Sequence, residues 1–177
     1  DAQTDALVME VSSHSLEQER VRHIHFDTAV FTNLQRDHLD FHLTFENYFA
    51  AKKKLFEELL SSENQKSQKT AIINADDPYG QKLAEMLRGK VRVLTYALNT
   101  QADFQATDIE ESLSCTTFKV NGLDGKINLL GKHNVYNALA ALCIAVANGV
   151  PEKTALEGLA LLSGVAGRME RIDEGQN

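Results

Sequence analysis

Three groups of residues in the first third of the chain have the types that phosphate and metal chemistry needs. Glu10 closes an apolar run, "ALVMEV" at 6–11, and leads into "VSSHS". His38 stands in "RDHLDFH" at 36–42, beside Asp37 and close to Asp40. Lys52 lies within "FENYFAAKKKLFEELL" at 45–60. A carboxylate at the end of a buried strand is a usual way to hold Mg²⁺ beside a nucleotide phosphate. The plainer reading of Glu10 is a strand-end carboxylate facing water. His38 alone reads more readily as a hydrogen-bonded loop histidine than as a ligand. A zinc-type hydrolase site built from His14, His38 and His42 with Asp37 is a further reading. "DHLDFH" lacks the His-x-x-x-His spacing of a helical zinc protease, so spacing does not favour it.

Lys52 is the least expected of these residues. Phe45, Tyr48, Phe49, Leu55, Phe56 and Leu59 share one side of a helix, and position 52 falls at the centre of that side. A buried ammonium is costly and does not belong beside a divalent cation. Its stem can be buried with the head in water. It can pair with a buried carboxylate. Or its neutral amine can react with CO₂ to give a carbamate, an anion whose hard oxygens suit Mg²⁺. The pattern alone leaves all three open.

Such groups need a scaffold that gathers them. Apolar runs at 6–11, 27–34, 70–77 and 91–98 read as strands, and helices are expected at 45–60, with Thr44 as N-cap, and from Pro78 to Gly89. Between them 61–68 reads as a surface loop. Strands alternating with helices predict an α/β fold with a mainly parallel sheet flanked by helices. In such sheets ligands collect at the carboxyl ends of the strands. The pattern then changes. "CTTFKV" (115–120) and "KINLL" (126–130), joined by "NGLDG", predict a hairpin in a small antiparallel sheet. A helix over 134–148 follows, with Asn134 as a possible cap, then another from Pro151 to about Leu162.

The 177 residues suffice for one domain with a real core, and 43% hydrophobic with 24% charged residues is ordinary for a globular protein. A net charge of −7 argues against nucleic acid or an anionic membrane as the main partner. No apolar stretch approaches a membrane span. Cys115 and Cys143 form no close-spaced metal or redox motif, and Cys143 reads as a buried thiol. A cytoplasmic protein is expected. With no initiator Met and a core strand only a few residues in, further sequence upstream of Asp1 is expected as well.

Five ordered segments, "MEVSSHSLEQERV" (9–21), "FTNLQRDHLDFH" (31–42), "YFAAKKKLF" (48–56), "GKHNVYNALAA" (131–141) and "GRMERID" (167–173), resemble the Mur ligases, and within that family the MurE type. The resemblance covers essentially the whole chain. It implies the central ATP-binding domain of a three-domain enzyme, over 1–166, with 167–177 as the linker to a C-terminal domain. The Gly-rich G-x-x-G-K-[ST]-like phosphate loop does not occur in the sequence, and the family places it upstream. The resemblance implies an ATP-dependent ligase of peptidoglycan synthesis, adding a third residue, meso-diaminopimelate or L-lysine, to a UDP-MurNAc-dipeptide through an acyl phosphate. By residue, it implies that Glu10, His38 and a carbamylated Lys52 hold Mg²⁺. Ser12, Gln18 and Arg20 would contact the UDP-MurNAc-peptide. Asn134, Asn137 and Arg168 would contact ATP. One departure is Gln35, where many relatives carry Ser or Thr. A monomer is expected, inactive without its missing parts. A metal-dependent hydrolase and a non-catalytic nucleotide-binding fragment are the competing readings.

Overall fold

The computed structural model describes residues 6–36 and 39–162. Four parallel strands form the main sheet in the order β1-β2-β3-β4, with β1 at Thr28–Phe31, β2 at Thr70–Asn74, β3 at Arg92–Ala97 and β4 at Phe104–Gln105. All three pairings are parallel, and Val30, Ile72 and Leu94 lie in register across β1, β2 and β3. Every residue of β2 is buried, as expected for a central strand covered on both faces. Two helices connect these strands, α3 (Phe45–Leu60) before β2 and α4 (Pro78–Leu87) before β3. The order β1 to β2 to β3 runs one way across the sheet. Right-handed crossovers therefore place α3 and α4 on the same face. Ala71 and Ile73 of β2 pack there with Phe56, Leu59, Leu83 and Leu87. Ile72, Tyr96 and Phe104 point to the opposite face, against α5 (Lys132–Ala147).

The boundary chemistry is largely local. The Thr44 hydroxyl caps α3 by accepting from the Asn47 N–H at 3.1 Å. Pro78 opens α4 and Asp77 caps it, accepting from Tyr79 and Gly80 N–H. Gly80 is required there: a Cβ would stand 2.1 Å from the Asn74 carbonyl oxygen. Downstream, β5 (Thr107–Glu111), β6 (Thr116–Val120) and β7 (Leu123–Ile127) form the antiparallel sheet. Its β6–β7 turn is only Asn121–Gly122, with φ of 50° and 77°, the left-handed pair of a tight hairpin. "LDG" therefore belongs to β7 rather than to the expected longer turn. Helix α6 (Glu152–Leu161) packs on β7 and buries Leu156.

Several expectations need correction. No strand forms over 6–11, and Leu7 and Val8 are each 79% exposed. An extended run becomes a strand only with a ladder partner, and among the described residues β1 pairs only with β2. Residues 13–17 instead form a short helix, α1 (Ser13–Glu17), capped by the Ser12 hydroxyl on the Ser15 N–H at 3.1 Å. Asn134 does not cap α5. The helix starts two residues earlier from Gly131, φ 92°, and the Asn134 amide donates to the Leu130 carbonyl at 2.8 Å. β4 and β5 were not expected at all.

Candidate functional site

Two groups of side chains assemble near the carboxyl ends of the parallel strands. The first joins α1, α3 and a single-turn helix, α2 (Leu39–His42). His42 is buried, and its Nε2 lies 2.8 Å from the Ser13 hydroxyl across 29 positions of sequence. Its ring stacks on Tyr48 at 5.0 Å and 12° and meets Phe41 edge-on at 4.8 Å. His14 packs on Phe41 at 4.2 Å. On the next turn of α3, the half-buried Lys52 holds its ammonium 5.3 Å from the centre of the Tyr48 ring. An aromatic face attracts a cation at that distance. At helical spacing Lys52 lies between the buried Leu59 and Phe56, so it stays within the packed stripe, half-buried, as its position in the sequence predicts. Lys53 and Lys54 point away, as expected, and pair with Glu57 and with Glu17 of α1, each at 2.9 Å. Ser13, His42, Tyr48 and Lys52 thus form one continuous chain of contacts from α1 to α3.

The expected substrate residues share this corner. Ser12 is half-buried at the start of α1, and Gln18 is its exposed C-cap. Arg20 is exposed, two residues further on. Glu10 is exposed, two residues before Ser12. His38 and Asp37 lie outside the described residues, as does Arg168. Among the described residues no three His, Cys, Asp or Glu side chains gather into a metal cluster. His42 engages Ser13 through Nε2, and its ring lies 5.6 Å from that of His14, centre to centre. The zinc reading of His14, His38 and His42 turns on His38, which lies outside the described residues. Were Glu10 and Lys52 to hold Mg²⁺, Glu10 would give a carboxylate oxygen, an ammonium on Lys52 would repel the cation, and a carbamate there would give the hard oxygens it prefers.

The second group lies after β2 and β3 and against the start of α5. Asp77 caps α4 and also accepts from the Leu34 N–H at 2.8 Å, anchoring the loop after β1. Asn74 donates to the Thr32 carbonyl at 2.8 Å from the same side. Asp76 turns the other way. It accepts from the backbone N–H of Leu98, Asn99 and Thr100, from the Asn99 amide, and from the Tyr136 hydroxyl at 2.7 Å. Burial alone would raise its pKa. The hydrogen bonds from Asn99, Tyr136, Leu98 and Thr100 outweigh that and hold the carboxyl at about 2. Burial, the bond to Asp76 and that carboxylate's charge push the Tyr136 phenol up to about 12. Asn134 and Asn137 flank Tyr136 on α5. The Asn137 amide donates to the Asn134 side-chain oxygen at 3.3 Å. Cys143 is fully buried in this helix, and burial raises its thiol pKa, as an inert core thiol requires.

In the sequence "NADD" offers no more than acidic residues able to cap a helix, so neither the Asp76–Asn99–Tyr136 group nor the Ser13–His42 contact is expected from it. The one available signal was the redundancy of two aspartates where one cap suffices.

Comparisons with known proteins agree with this architecture. Residues 1–145 match the Mur ligase middle domain. The UDP-N-acetylmuramoyl-L-alanyl-D-glutamate–2,6-diaminopimelate ligase of Bacillus licheniformis is 42% identical over 181 residues, covering 100% of this chain and 37% of that protein. The enzyme of the same name from Clostridium perfringens is 42% identical over 184 residues, covering 100% of this chain and 36% of that protein. A solved structure of such a ligase superposes with a TM-score of 0.78 at 35% identity, covering 92% of this chain and 33% of the other. MurF from Acinetobacter baumannii, at 22% identity and a TM-score of 0.73 over 86% of this chain and 32% of its own, shares the fold. The chain spans about a third of the length of these relatives. Taken with the parallel sheet and its carboxyl-end loops, the match over most of its length shows that the chain belongs to the Mur ligase middle-domain family.

Proposed function

We propose that this chain is the ATP-binding middle domain of a MurE-type ligase that joins meso-diaminopimelate to UDP-MurNAc-L-Ala-D-Glu in peptidoglycan synthesis. Residues 1–166 would make up the domain and 167–177 the linker that follows. The carrying observation is that the α1 segment and Lys52 meet through His42 and Tyr48 at the carboxyl side of a parallel sheet. The names of the relatives support the substrate and favour diaminopimelate over L-lysine.

In this reading ATP transfers its γ-phosphoryl group to the terminal carboxylate of the dipeptide, giving an acyl phosphate and ADP. The amine of the amino acid then attacks the acyl carbon. A C–N bond forms, the C–O bond to phosphate breaks, and the amine gives up a proton. The carboxylate and the triphosphate repel each other, and bound Mg²⁺ would supply the screening charge. Glu10, His38 and the Lys52 carbamate would hold it. That carbamate forms when the neutral Lys52 amine adds to CO₂ and releases a proton. Arg20 offers a planar fork to a substrate anion, with Ser12 and Gln18 beside it. Asn134 and Asn137 present amides to the adenine, and Arg168 would reach the phosphates.

The test incubates the intact ligase with UDP-MurNAc-L-Ala-D-Glu, ATP and either amino acid. ADP and a diaminopimelate amide should appear in equal amounts. Turnover without ATP, with release of a hydrolysed product, would overturn the ligase assignment in favour of a hydrolase. Faster reaction with L-lysine would overturn the choice of amino acid alone.

A further inference from the structure

Asp76 has no part in capping α4, because Asp77 does that alone. It nevertheless collects five donors, three of them the consecutive backbone N–H groups of residues 98–100. The fifth, the Tyr136 hydroxyl, comes from 60 positions away, on the second turn of α5. Asn99 closes the cluster by donating its amide to both Asp76 and the Tyr136 oxygen, each at 3.3 Å. Val135, fully buried, anchors the first turn of α5 on its core side. Gly131 supplies no side-chain cap. Asn134 and Asn137 are tied to each other and to the Leu130 carbonyl.

We infer that Asp76 and Tyr136 are positioning residues for nucleotide recognition, tying the loop after β3 to α5 and so fixing how Asn134 and Asn137 present their amides. The inference rests on the reading of those asparagines as nucleotide contacts. Tyr136 lies between the two in sequence, so any rotation of this turn moves both together. Hydrogen bonds to a base edge weaken steeply with displacement and misalignment. A change at the Tyr136 hydroxyl therefore reaches the nucleotide without touching it.

The intact ligase, with Tyr136→Phe and Asn137→Ala variants, separates the possibilities. Tyr136→Phe keeps the ring in the core and removes only the hydroxyl. Its KM for ATP should rise three- to tenfold, by about 0.7 to 1.4 kcal/mol of binding. Its kcat and its KM for the nucleotide-sugar peptide should stay within twofold. Asn137→Ala should raise the KM for ATP at least as much. If Asn137→Ala raises it and Tyr136→Phe does not, the inference fails alone. If neither raises it, the nucleotide placement fails and the inference with it. A Tyr136→Phe protein that loses kcat, or affinity for all substrates equally, would show a merely structural hydroxyl and overturn the inference.

Discussion

The two side-chain groups at the carboxyl edge are built on opposite plans. The Asp76 group is a carboxylate held by backbone amides. Its geometry is set by the main chain before any ligand arrives. Among the described residues the Lys52 corner is held by ring stacking, by the Ser13–His42 hydrogen bond and by the Lys54–Glu17 ion pair between α3 and α1. Three non-glycine residues around it, Glu19, His23 and Leu43, have positive φ. Such conformations are uncommon and need support from their surroundings. The contrast suits the two tasks assigned to them. In the proposed reading adenine is a rigid ring that a preset surface can read, whereas Lys52 would pass from ammonium to carbamate, reversing its charge.

The largest expected difference between the corners lies in substrate selectivity. Arg20→Ala in the intact ligase should raise the KM for UDP-MurNAc-dipeptide by on the order of tenfold to a hundredfold, as expected for a lost charge-assisted pair. The KM for ATP should stay nearly constant. Initial-rate kinetics with each substrate varied in turn measure both, and a rise confined to ATP would break the division of labour.

Stability distinguishes the corners next. Tyr48 carries both the His42 stack and the Lys52 contact and is buried. Tyr48→Ala should cost about 3 kcal/mol, from lost burial and an unfilled cavity. Asp77→Ala removes the α4 cap and the Leu34 tie. It should cost about 1 to 2 kcal/mol. Urea unfolding of each variant checks the order. A larger loss at Asp77 than at Tyr48 would mean that hydrogen bonding, rather than ring packing, dominates the stability of this edge.

The smallest effect is the pH window of the Asp76 group. The Asp76 pKa falls from 3.8 to about 2 on folding, so its stabilisation is present above about 4 and lost as pH drops towards 2. The Tyr136 pKa rises from 10.0 to about 12, so its stabilisation is present below 10 and lost as pH climbs towards 12. After solvent screening each contribution is on the order of 1 kcal/mol. Tyr136→Phe should flatten the alkaline limb of a stability–pH profile. An unchanged limb would show that the phenol does not titrate with folding.

Much of the scaffold was legible because its signals are local. Thr44, the Pro78 start and Asn121–Gly122 act within a few residues of themselves. The α/β class followed from the runs that became β1, β2 and β3. The segment 6–11 misled because its apolar pattern marks a strand only when a neighbouring strand accepts it. Helix α1 was missed because five residues, three of them serine or histidine, carry no readable period. The Asp76 group was hidden for another reason: its partners lie 22 to 60 positions away. Lys52 was readable as an anomaly, and the structure places its ammonium over the Tyr48 ring, within the packed stripe. Its chemistry still had to come from family resemblance.

That chemistry has a direct test. Lys52→Ala in the intact ligase should lower ligation by about 10²- to 10³-fold, the scale of losing one preorganised charge at a reacting centre. Added formate or acetate should restore part of the rate by standing in for the carbamate oxygens, and chloride at equal ionic strength should not. Near-full activity of Lys52→Ala in CO₂-depleted buffer would contradict the account.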